Sequence, residues 1–61
     1  MAPDFNEYAE EVLKAASMQV LHLAGKIHRS PFDVLLHLYE SGWEVQETIT
    51  CINEAWRSEF H

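Results

Sequence analysis

Four histidines and one cysteine offer the richest chemistry in this 61-residue chain: His22, His28, His37, His61 and Cys51. Together they raise the question of a metal site. Structural zinc sites use close pairs, cysteines about two to four residues apart or histidines about three to five apart. No two of these five residues lie that close. The histidines therefore read as surface or boundary residues, and no metal or cofactor is expected. Cys51 raises the question of a nucleophile, which needs an accessible, electropositive setting to hold a thiolate. Glu47 and Glu54 stand within one helical turn of it and oppose that charge. Beside Ile52, Cys51 reads instead as a small, partly buried hydrophobe. Ser30 follows His28 closely, but its type and position suit a helix cap. No glycine-rich phosphate loop occurs. A chain this short has little room for a concave pocket of about 300 Å³ or more. No catalytic residue is expected, and no enzyme.

The elements that would carry these side chains are helices. Only Gly25, Gly42, Pro3 and Pro31 punctuate the sequence. The first piece opens at Pro3-Asp4, where Asp4 followed by Glu7 matches an acidic capping box. Glu7, Glu10 and Glu11 favour the positive pole of the helix dipole. Phe5, Tyr8, Ala9, Val12, Ala16, Val20, Leu23, Ala24 and Ile27 recur at spacings of mostly three and four, one face of an α-helix. Leu13, Met18 and Leu21 lie off that stripe. The second piece starts at Ser30-Pro31, an N-cap followed by the residue best suited to the first helical position. It ends at Ser41-Gly42, with Gly42 able to take the left-handed C′ conformation. The third runs from about Glu44 to Phe60 with a stripe of Val45, Ile49, Ile52, Trp56 and Phe60. There is no sustained alternation and no hairpin turn. The expected fold is one all-α domain over residues 1–61, with a long N-terminal helix, a short central helix and a C-terminal helix.

Composition bounds the function. Ten acidic residues against four basic ones give a net charge of −6. Nucleic acid or an anionic membrane would be repelled on average. Lys14, Lys26, Arg29 and Arg57 are too scattered to form a basic stripe. No apolar run approaches the roughly 20 residues of a membrane span. The acidic N-terminus lacks the basic region of a secretory signal, and the lone cysteine fits a reducing compartment, so a cytoplasmic location is expected. The apolar content of 48% with a mean hydropathy of −0.21 suits a folded domain rather than a disordered tail.

The segment from Leu23 to Leu38 resembles a helix-turn-helix module. Ala24, Ile27 and Val34 match its small and apolar packing positions. His28 stands where that family has glycine, and Arg29 replaces the next apolar residue. The resemblance implies a DNA-reading second helix. That helix instead offers Phe32, Asp33, Leu35, Leu36 and His37, where base readout needs hydrogen-bonding side chains aimed at base edges. Leu38-Tyr39-Glu40-Ser41-Gly42-Trp43 is also similar to the turn after the first helix of ubiquitin-associated modules. It lacks their methionine, and the next helix lacks their alanine spacing. In size and charge the chain is similar to small accessory proteins of phages and mobile elements that block host machinery.

These readings lead to a small acidic adaptor or inhibitor that docks on a protein with a basic surface, such as a transcription factor or a nucleic-acid-processing complex. The expected contact residues are Phe32, Leu35, Leu36, Tyr39, His28, His37 and Trp43, since aromatic anchors carry most interface energy. More apolar side chains are present than one short domain readily buries. A homodimer is therefore expected, with Leu13, Met18 and Leu21 at its interface. The alternatives are a helix-turn-helix DNA-binding regulator, in which dimerisation doubles the few basic residues, and a structural subunit of a larger assembly. The acidic residues also admit a mimic of DNA phosphates, although the carboxylates are not spread densely along one face.

Overall fold

The computed structural model describes residues 4–60. It contains α1 (Phe5–Lys26), α2 (Pro31–Glu40) and α3 (Val45–Ser58), and no strand among the described residues. The all-α architecture of a long, a short and a C-terminal helix is as the sequence implies. Pro3 and His61 lie outside the described residues.

Local chemistry sets the helix ends. The Asp4 carboxylate accepts the Glu7 N–H at 2.8 Å, satisfying one of the donors that the first turn leaves unpaired. The Ser30 hydroxyl does the same for the Asp33 N–H at 3.1 Å, and Pro31 follows at the first helical position. At α3 the Glu47 carboxylate accepts the Glu44 N–H at 3.1 Å, the return half of a capping box.

Both interhelical turns use one device. After α1, the Arg29 N–H donates to the Ala24 carbonyl at 2.9 Å and the His28 N–H to the Gly25 carbonyl at 3.2 Å. After α2, the Trp43 N–H donates to the Leu38 carbonyl at 3.2 Å and the Gly42 N–H to the Tyr39 carbonyl at 3.1 Å. Each is a Schellman pair, which requires a left-handed residue at C′. Gly42 supplies it with φ 88°, at no steric cost. His28 supplies it with φ 58°, which is unfavourable for a residue with a Cβ.

Helix α1 is the spine, and α2 and α3 pack on it more than on each other. Tyr8 meets Thr48 and Lys26 meets Glu59, so α1 and α3 run parallel. Tyr39, near the end of α2, packs on Phe5 and Tyr8 near the start of α1, so α2 runs antiparallel to both. The core comprises Tyr8, Ala9, Val12, Ala16, Val20, Leu35 and Ile52, with Ala24 and Thr48 also buried. Small side chains at 9, 16 and 24 let neighbouring helices approach the α1 backbone, because interaxial distance follows side-chain size at the contact. The Tyr8 and Thr48 hydroxyls hydrogen-bond one another inside this apolar setting, and no buried side-chain polar atom lacks a partner among the described residues.

Three positions differ from expectation. Helix α1 is interrupted at Ala16 (φ −147°, ψ 39°), without a proline or glycine to mark the place. Ile27 continues the α1 stripe in sequence, but the left-handed turn begins there and leaves it exposed. Phe60 lies beyond the end of α3 and is exposed too, although it continues the α3 periodicity in sequence.

Candidate docking surface

Helix α2 is apolar on two sides, and only one of them faces the core. Leu35 is completely buried (0% exposed). Leu38 and Tyr39 are half-buried and packed against the core. Tyr39 stacks edge-on against Phe5 and Tyr8, with ring centroids 5.6 and 5.1 Å apart. Phe32 (58%) and Leu36 (39%) point outward. They stand four residues apart and so share one side of the helix. Trp43, in the turn that follows, is exposed as well.

The seven residues expected to make contact therefore divide. Phe32, Leu36, Trp43, His28 and His37 are all exposed. Leu35 is a correction: it belongs to the core, because its neighbour Leu36 takes the solvent side about 100° away around the helix. Tyr39 presents only part of its ring. Of the three residues expected at a dimer interface, Met18 and Leu21 are exposed. Leu13 is half-buried, packed against the core and lining a surface groove beside Phe32. Cys51 is exposed rather than partly buried, since α3 turns Thr48 and Ile52 inward instead.

Two grooves flank α2. One, of about 570 Å³, is lined by Asn6, Ala9, Glu10, Leu13, Lys14 and Phe32. The other, of about 350 Å³, is lined by Ile27, Arg29, Asp33, Val34, His37 and Leu38. Helix α2 thus stands as a ridge with an apolar crest and a furrow on either side. Ile27 joins this surface unannounced, and its signal was the need for a left-handed residue directly after it.

Topology also polarises the charge. The start of α1, the end of α2 and the start of α3 meet at one end of the molecule, as the contacts among Phe5, Tyr8, Tyr39 and Thr48 require. That end carries Asp4, Glu7, Glu10, Glu11, Glu40, Glu44 and Glu47, with Lys14 at its edge, in the groove it shares with Glu10. Lys26, Arg29 and Arg57 lie elsewhere, accompanied by Asp33, Glu54 and Glu59. Burial pushes the Tyr8 phenol above its ordinary value; the Thr48 hydrogen bond works against that shift and the nearby Glu47 charge adds to it. At the opposite end, the hydrogen bond from Lys26 holds the Glu59 carboxyl below its ordinary range.

Among the described residues no three histidine, cysteine or acidic side chains converge as a metal would require. No helix among them is long and apolar enough to cross a membrane. The chain matches no protein-family model, no curated protein and no solved structure.

Proposed function

We propose that this chain is a small acidic protein–protein interaction module, an adaptor or inhibitor that docks on a partner through the outer side of α2. The observation that carries the reading is the outward pair Phe32 and Leu36 on a helix whose opposite side is locked into the core by Leu35. A capped, rigid helix presenting apolar anchors loses little entropy on binding, which favours affinity. Trp43 extends the crest, and His28 and His37 border it. The acidic end of the molecule lies beside this ridge and would steer it toward a basic surface, raising the rate of encounter. Basic surfaces belong above all to proteins that handle nucleic acid. A transcription factor or a nucleic-acid-processing complex is the target class this charge favours, consistent with a resemblance in size and charge to phage accessory inhibitors.

Binding DNA directly is less well supported. Lys26, one of the few cations near the α1–α2 turn, is already paired with Glu59, and Asp33 occupies the first turn of α2, where a phosphate would approach. The test is capture from a lysate of the native host with the wild-type chain and with Phe32→Ala and Leu36→Asp. Retention of a discrete partner by the wild type alone, with helicity of the variants intact, supports the reading. Equal retention by all three removes this surface from consideration.

A further inference from the structure

A second apolar surface lies on α1, away from the ridge of α2. Residues 15–25 contain no charged side chain, in a chain where charged residues make up 23%. Within that stretch Met18 (71%) and Leu21 (56%) are exposed. Their spacing places them on one side of the helix with Gly25, which faces open space. His22, one turn beyond Met18, carries the surface across to the residues that follow α3, where its ring meets exposed Phe60 at 5.5 Å. Lys14 stands one turn before Met18 at one edge of the stretch, and at the other edge Lys26 pairs with Glu59.

We infer that this surface is covered by a second copy of the same chain. A twofold interface brings each patch against itself, so the net charge of a patch is doubled at the contact. In a chain of net charge −6, most surfaces would repel their own copy. The uncharged stretch of α1 over residues 15–25 is the exception, and pairing there leaves the acidic ends free of the contact. Size points the same way. The core includes three alanines, and a domain this small gains little from its own interior. Burying Met18, Leu21 and Phe60 against a second copy supplies apolar contact that one copy cannot make.

Sedimentation equilibrium over a concentration series tests this. The wild-type mass should rise from 7.1 kDa toward twice that value, and its melting temperature should rise with concentration. Leu21→Glu and Met18→Glu should each weaken association by about tenfold or more with helicity retained. Leu36→Glu should associate like the wild type. A mass of 7.1 kDa across the soluble range overturns the inference. So does a dimer that tolerates both α1 variants, or one broken by Leu36→Glu alone. Loss of helicity in both α1 variants also overturns it, since the surface would then be interior to one copy.

Discussion

The buried hydrogen bond between Tyr8 and Thr48 joins α1 to α3 and holds the acidic end together, so breaking it should be measurable and non-additive. Both residues are fully buried. Thr48→Val keeps the shape and deletes the partner of the Tyr8 hydroxyl, stranding a polar group in the core at a cost of about 1–3 kcal/mol. Tyr8→Phe should cost less, about 0.5–1.5 kcal/mol. The freed Thr48 hydroxyl can turn to the carbonyl of Glu44 one turn back, which already accepts the Thr48 N–H at 2.9 Å. Replacing both partners leaves nothing stranded and approaches neutrality. The double variant should therefore be more stable than the sum of the single losses implies, by about 1 kcal/mol or more. For a domain of this size 1 kcal/mol corresponds to roughly 4–8 °C in melting temperature. Urea and thermal unfolding followed by helical circular dichroism, at one fixed protein concentration, give all four corners of the cycle. Single losses that add within about 0.5 kcal/mol would refute the coupling, and a Thr48→Val variant as stable as wild type would refute the burial.

Other consequences follow from the same geometry. Because the folded Tyr8 phenol titrates above its ordinary value of 10.0, its contribution is complete below that pH and is lost as pH rises past it; alkaline titration should destabilise the wild type more than Tyr8→Phe. His28→Gly should stabilise by roughly 0.5–1 kcal/mol, since relief of a left-handed strain of about 1–2 kcal/mol is offset in part by the freer unfolded chain; denaturation midpoints will show it. Gly42→Ala should lose about 1 kcal/mol at the other turn, where φ is 88° and not space is the obstacle. The Glu59 carboxyl, held low by Lys26, contributes stability above its unfolded range that fades as pH falls through the folded value. Lys26→Gln should flatten that acid limb, and added salt should mimic the change because both partners are reached by solvent.

Local chemistry made much of the fold legible in advance. Asp4, Ser30-Pro31 and Gly42 marked helix ends because caps act through immediate neighbours, and the α3 stripe needed only its period. His28 was recognisable as a residue in a glycine slot, but its own left-handed backbone emerged only with the turn's hydrogen bonds. Leu35 and Leu36 could not be told apart. Helix α2 is apolar on both sides, and the approach of α1 decides which side is buried. The break at Ala16 has no local marker. Charge polarity was hidden for a different reason: the seven carboxylates form two groups distant in sequence, residues 4–11 and 40–47, which meet only because α1 and α3 run parallel while α2 returns antiparallel to both. Leu13 illustrates the same limit, lying off the sequence stripe yet packed inward where α2 crosses.

The most direct test of the docking surface compares Leu36→Asp with Leu21→Glu in capture from the native host's lysate, with duplex DNA of mixed sequence offered in parallel. A discrete partner retained by the wild type and by Leu21→Glu, lost with Leu36→Asp, and unaffected by added DNA is the expected result. Undiminished capture by Leu36→Asp, or salt-sensitive binding to the duplex in place of a protein, would contradict the assignment of α2 as the protein-binding face.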